Sequence, residues 1–161
     1  MDWILIIDFL VETGYLLLVF SVLFLFTISK GRQAIINLIM GLYIALLISI
    51  EFPYYETLLG SVENGQLIAA GKLVFFATLT TLATILFFRI MPEEFRESRL
   101  ESFGKKILLS GAATVLIMIF SFQVLPVTEF LTPGTPLQWL FASETFYFWW
   151  LLLPLIIIYV L

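Results

Sequence analysis

The sequence contains no cysteine and no histidine, and only 12% of its 161 residues are charged. Without these two residue types the chain lacks disulfides, thiol catalysis, most zinc chemistry and the usual acid–base residue at neutral pH. Soluble domains carry about 25% charged residues, so there is too little charge here to cover a water-facing surface. A net charge of −4 also argues against a nucleic-acid partner, which would call for a basic patch.

Apolar residues are abundant, at 61% of the chain, and they are gathered in long runs. A membrane-spanning helix needs about 20 mostly apolar residues, and these runs do not alternate polar and apolar residues as barrel strands do. The sequence therefore predicts an all-α fold, a polytopic transmembrane helical bundle that forms one membrane domain. The five predicted spans are 3–29, 34–51, 67–90, 107–125 and 146–161. A cytoplasmic surface helix is predicted at 92–104.

The first residues do not fit a secretory signal, which needs a positively charged start, because they carry Asp2 and Asp8. We therefore expect this segment to remain in the mature protein. The pattern leaves open whether residues 3–14 insert into the bilayer or lie along its outer surface.

The positions of the cations predict the orientation of the chain. Two of the eight lie between the first and second spans, and five lie at or after the end of the third. These seven are Lys30, Arg32, Arg89, Arg96, Arg99, Lys105 and Lys106. Short connections rich in Lys and Arg stay in the cytoplasm, so we expect the N-terminus outside and the C-terminus inside. Helix lengths between charges agree, since Glu12 to Lys30 measures ~27 Å at 1.5 Å per residue, close to the ~30 Å hydrocarbon core.

Four ionisable residues are candidates for a polar site near the outer boundary, namely Asp8, Glu12, Glu51 and Lys72. Ionisable residues within spans are costly, which makes them functional candidates by default. Asp8 and Glu12 are four residues apart and share a helix face, and the span lengths place Glu12 and Lys72 at similar depth. One interpretation is a proton- or cation-binding cluster that includes a Glu12–Lys72 pair. The other is that each side chain reaches the headgroup water.

Aromatic residues predict anchoring at the membrane interface. Three tryptophans fit an aromatic belt at the outer surface, namely Trp139, Trp149 and Trp150. Pro154 lies within the fifth predicted span, where we expect a kink or a freed carbonyl.

Small residues predict where helices approach closely. They gather in the third and fourth spans, where the candidate packing residues are Thr81, Thr84, Ser110 and Gly111. We therefore expect these two spans to form the tightest pair, and Gly41 in the second span to serve a similar contact.

No enzyme motif is present: there is no glycine-rich phosphate loop, no GxSxG turn and no metal-ligand spacing. We expect no catalytic activity, no cofactor and no metal, and membrane lipids as the surroundings. The sequence favours an accessory or scaffold protein that forms a homo-oligomer or binds a membrane-protein partner. One alternative is an ion- or proton-coupled channel or transporter, formed by an oligomer and using the four-residue polar cluster. Another is a membrane enzyme acting on lipids, which would need polar groups converging in one cavity.

The order of the segments has a characteristic layout. A first segment bearing Trp3 leads into a span that closes on Lys30-Gly31-Arg32, the second span bears Gly41, and the fourth opens after Gly104-Lys105-Lys106. This layout resembles the colicin V production family of small bacterial inner-membrane proteins over residues 1–125. The fifth span departs from the family, which typically ends in a polar tail after four spans. The resemblance implies a non-enzymatic factor of the bacterial inner membrane linked to envelope homeostasis or export.

Overall fold

A computed structural model describes residues 3–59, 65–91, 103–124 and 136–161. Helices account for 94% of these residues, and no strand occurs among them. The described helices are α1 (Trp3–Lys30), α2 (Arg32–Glu51), α3 (Tyr55–Leu59), α4 (Gly65–Ile90), α5 (Phe103–Gln123), α6 (Pro136–Ala142) and α7 (Glu144–Val160). The prediction of an all-α fold is confirmed.

Four of these helices are long and apolar enough to cross a membrane, namely α1, α2, α4 and α5. Helices α6 and α7 meet the same test only as a pair, bent by 74° at the break between them. By length and composition the described helices thus provide four candidate spans, or five when the bent pair counts as one. The predicted surface helix at 92–104 lies outside the described residues, except for Phe103 and Gly104, which begin α5.

A single residue, Gly31, connects α1 to α2. Its φ of 90° lies in the left-handed region, which glycine adopts without the steric cost of a side chain. The Gly31 N–H bonds to the Thr27 carbonyl at 2.9 Å and closes the last turn of α1. This turn places Lys30 and Arg32 at the same end of the bundle.

Contacts between distant residues fix the direction of the helices. The Thr27 and Ser110 hydroxyls share a hydrogen bond of 2.8 Å, and those of Tyr15 and Ser121 share another of 2.8 Å. Residue numbers rise along α1 while they fall along α5, so these two helices are antiparallel. Each pair lies in the interface between α1 and α5.

Helices α2 and α4 are also antiparallel. The rings of Phe52, just after α2, and Phe75 in α4 lie 4.6 Å apart between centroids, and Gly41 lies against Thr84 further along. The ends of α1 and α4 therefore meet the starts of α2 and α5 at one end of the bundle. This end, called the basic end below, carries Lys30, Arg32, Arg89, Lys105 and Lys106.

The expectation that the third and fourth predicted spans form the tightest pair is wrong. These spans are α4 and α5, but α4 packs most extensively against α2, while α5 packs against α1, α2 and α7. The small residues enter different interfaces, since Thr84 faces Gly41 of α2 and Ser110 faces Thr27 of α1. Small side chains permit close approach, but they do not specify which helix approaches.

Candidate functional site at the polar end of the bundle

Glu12 lies near the end of the bundle opposite the basic end and is almost fully buried, with 2% of its surface exposed. Its Oε1 accepts a hydrogen bond from Nε2 of Gln138 in α6 at 2.8 Å. Asp8 stands one turn earlier on α1, and its buried Oδ2 has no hydrogen-bond partner among the described residues. We refer to Asp8, Glu12 and Gln138 as the carboxyl cluster.

Helix α6 is held in place by donors from the helices around it. Gln123 at the end of α5 directs its Nε2 at the carbonyls of Phe141 and Ala142, at 3.3 and 3.1 Å. The Trp150 indole N–H of α7 bonds to the carbonyl of Leu140 at 2.9 Å. The last carbonyls of a helix have no partner within the helix, so these side chains satisfy them and fix the position of Gln138.

Lys72 of α4 belongs to a second polar group at the same end. Its Nζ donates to the Val124 carbonyl at 3.0 Å and lies 5.3 Å from the centroid of the Tyr55 ring. It borders a recess of about 270 Å³ between α2, α3, α4, α5 and α7. This Lys72 recess is lined by Ser49, Ile50, Tyr55, Lys72, Gln123, Val124 and Tyr147.

The Lys72 recess contains two buried hydroxyls, Ser49 Oγ and Tyr55 OH. Neither has a hydrogen bond of good geometry among the described residues. Burial raises the pKa of Tyr55 above its usual value of 10.0, and the neighbouring Ser49 hydroxyl opposes this shift. The Tyr55 hydroxyl therefore keeps its proton at neutral pH. Glu51 is exposed beside the recess and acts electrostatically on Tyr147.

The four residues of the predicted cluster thus fall into two groups. Asp8 and Glu12 are in the carboxyl cluster, whereas Lys72 borders the recess and Glu51 lies beside it. The hydrogen bond to Glu12 comes from Gln138, and Lys72 donates to a backbone carbonyl of α5. Within the described part of the chain, no group of three or more Asp and Glu residues could hold a metal ion.

The three predicted anchor tryptophans differ in their surroundings. Trp139 and Trp149 are 65% and 63% exposed, which suits side chains at a membrane interface. Trp150 is half-buried, with its ring 5.1 Å from that of Phe141 and its indole bonded to α6. It therefore ties α6 to α7, and its place in an aromatic belt stays a prediction.

The four predicted packing residues divide between inner and outer faces. Thr84 and Ser110 are buried in helix interfaces. Thr81 is exposed and donates to the Ala77 carbonyl of its own helix at 2.7 Å. At Gly111, none of the described residues has an atom within 4 Å of the position that a Cβ would take. Small residues occur on both faces of α4 and α5, so composition alone did not separate the two kinds.

Sequence reasoning missed the bond between Gln138 and Glu12, which are 126 residues apart. One signal was available, because Gln138 is the only amide in the otherwise apolar segment Pro136–Ala142. A lone polar side chain in such a segment needs a partner when it is buried. Which partner it finds depends on the path of the chain.

The sequence matches no protein-family model, no curated protein and no solved structure.

Proposed function

We propose that this chain is a non-catalytic integral membrane protein that acts as a scaffold or accessory component for other membrane proteins. The observation that carries the proposal is the use of polar side chains inside the bundle, where they connect one helix to another. The helix-to-helix connections are Tyr15–Ser121, Thr27–Ser110, Tyr43–Leu151, Glu12–Gln138 and Gln123–Phe141. Polar groups used in this way hold a fixed arrangement of helices, which suits a protein that positions partners.

The outer helices supply the surface that such a scaffold needs. Only 11% of the apolar window of α1 and of α4 is buried within the chain, compared with 50% for α2 and α5. On α4, the exposed face includes Ala77, Thr78 and Thr81. Small residues on a lipid-facing helix allow another helix to come close, so we place the partner on α4.

The orientation and the setting are part of the proposal. The basic end faces the cytoplasm, because short connections rich in Lys and Arg are retained there. The resemblance to the colicin V production family suggests the bacterial inner membrane and a role in envelope homeostasis or export. A reporter inserted between Lys105 and Lys106 should be cytoplasmic, and one inserted after Tyr54 should be exported. The reverse pattern would overturn the orientation.

The scaffold role is tested by native mass measurement of the chain extracted from its own membrane in mild detergent. We expect a fixed-stoichiometry complex with a second copy or another membrane protein. Thr81→Leu should weaken this complex, because the larger side chain on the exposed face of α4 keeps the partner helix from coming close. Ser21→Leu is the matched control, since Ser21 is also exposed and also donates to the carbonyl four residues earlier. A chain that is always recovered alone would contradict the proposal.

A second candidate, an ion- or proton-coupled transporter, is favoured by one observation. Glu12 is buried and is bound by Gln138 on α6, which belongs to the bent helix pair. Broken helices next to a buried ionisable side chain are typical of transport sites. Proton or cation flux in proteoliposomes that is abolished by Glu12→Gln would favour this candidate. Absence of flux in the wild type would favour the scaffold.

A further inference from the structure

We infer that the Lys72 recess binds the phosphate of a membrane phospholipid, with an acyl chain lying in an apolar groove beside it. This binding site does not depend on the scaffold role, although Thr78 belongs both to the groove and to the exposed face of α4 proposed for the partner. The inference rests on unused donors in the recess, on the neighbouring groove and on the depth of Lys72.

Lys72 and two hydroxyls supply donors that lack a full set of acceptors. The ammonium group has three N–H donors, and the described structure gives it one hydrogen bond, to the Val124 carbonyl. Ser49 is 1% exposed, and its Oγ and the buried Tyr55 OH are neighbours in the recess, without a hydrogen bond of good geometry among the described residues. Leaving buried donors unsatisfied is costly, and the oxygens of a phosphate would satisfy several at once.

The charges around the recess favour a phosphodiester. Among the described residues, Lys72 is the one cation at this end of the bundle. A compact ammonium group such as that of lysine is a common phosphate ligand. Glu51, which is exposed beside the recess, opposes a free anion with several negative charges. A phosphodiester carries a single negative charge, which Lys72 can balance.

An apolar groove of about 290 Å³ adjoins the recess on the outer side of α4. Tyr55 lines both, so the phenol ring forms the boundary between a polar and an apolar compartment. The groove is lined by Phe52, Tyr55, Leu58, Gly71, Val74, Phe75 and Thr78. A free phosphate would use only the polar part, whereas a phospholipid fills both.

The depth of Lys72 matches that of a headgroup. Arg89 at the basic end is 17 residues further along α4, which corresponds to ~26 Å of helix. This length is close to the ~30 Å thickness of a hydrocarbon core. When Arg89 lies at one interface, Lys72 lies near the other, at the level of the lipid phosphates.

The test measures lipid retention by native mass spectrometry of the full chain, delipidated in detergent and then titrated with phosphatidylglycerol or phosphatidylethanolamine. Lys72→Met should weaken retention by about tenfold or more, because it removes a charged hydrogen bond. Lys30→Met, at the basic end, should leave this site unchanged. Equal losses for the two variants would overturn the assignment.

A second pair of variants tests the groove and keeps the inference testable if Lys72→Met does not fold. Val74→Trp fills the groove while Lys72 remains, and Leu82→Trp places the same side chain on an exposed position of α4 outside it. We expect weaker lipid retention in the first variant only. Inorganic phosphate and glycerol phosphate should not compete with the lipid. Competition by either, or equal retention in both tryptophan variants, would mean that the recess binds a free anion or nothing.

Discussion

The hydroxyl of Tyr43 on α2 donates a hydrogen bond to the backbone carbonyl of Leu151 on α7. The N–H of Leu155 lies near the same hydroxyl. In a regular helix the Leu151 carbonyl and the Leu155 N–H pair with each other. Pro154 lies within this turn of α7, where it has no N–H for the Trp150 carbonyl and its ring crowds the preceding turn. Tyr43 therefore supplies hydrogen bonding where the proline weakens it, inside a membrane that offers no water.

Tyr43→Phe should lower the free energy of unfolding by about 1 kcal/mol, the usual net contribution of such a bond. In a Pro154→Ala background, Tyr43→Phe should lower the free energy of unfolding by less, because α7 can then form its regular backbone hydrogen bonds without the Tyr43 hydroxyl. Reversible unfolding in mixed micelles measures both values. Tyr159→Phe serves as the control, since Tyr159 is 91% exposed. The same loss in both backgrounds would contradict the link to Pro154.

Gly41 should not tolerate a larger side chain. A Cβ placed there would lie 3.0 Å from the backbone N of Thr84 and 3.1 Å from the carbonyl of Thr80. These are backbone atoms, so α2 and α4 would have to move apart. We expect Gly41→Ala to destabilise the protein by about 1–3 kcal/mol, as overpacking does.

Gly111→Ala is the matched control for Gly41→Ala. No atom of the described segments lies within 4 Å of a Cβ at Gly111, and the position is also within a helix. Alanine is a better helix former than glycine, so this variant should be neutral or stabilising in a thermal melt. A melting temperature unchanged by Gly41→Ala would show that α2 and α4 can separate without cost.

The buried hydroxyls of Thr27 and Ser110 should be energetically coupled. They share a hydrogen bond of 2.8 Å between α1 and α5, and interhelical hydrogen bonds in membrane proteins contribute about 0.6 kcal/mol on average. A double-mutant cycle with Thr27→Val and Ser110→Ala should return a coupling energy of about this size. A cycle with Thr27→Val and Ser21→Ala should be additive, since Ser21 is exposed and bonds within its own helix.

The helices could be predicted from the sequence because lipid-facing segments must be long, apolar and helical. Their pairing could not, as Thr84 and Ser110 show: both are small polar residues, yet one packs on α2 and the other on α1. Helix α6 was also missed as a helix, although Pro136 begins it where a missing N–H is tolerated. The polar site was predicted as four residues, and only the folded chain shows that Gln138 joins it and that Lys72 belongs to a separate recess.

The bond between Gln138 and Glu12 makes a prediction about the carboxyl cluster. Gln138→Leu removes a hydrogen-bond donor from Glu12, a residue that is only 2% exposed, so the free energy of unfolding should fall by about 1–3 kcal/mol. Trp139→Leu, on the exposed side of the same helix, should have a smaller effect. The double variant Glu12→Leu with Gln138→Leu should lose less free energy of unfolding than the sum of the two single variants. When both side chains are replaced, neither polar group stays buried after losing this hydrogen bond. Additive losses in the same micelles would show that the two side chains contribute independently and that α6 is not held against α1 through this contact.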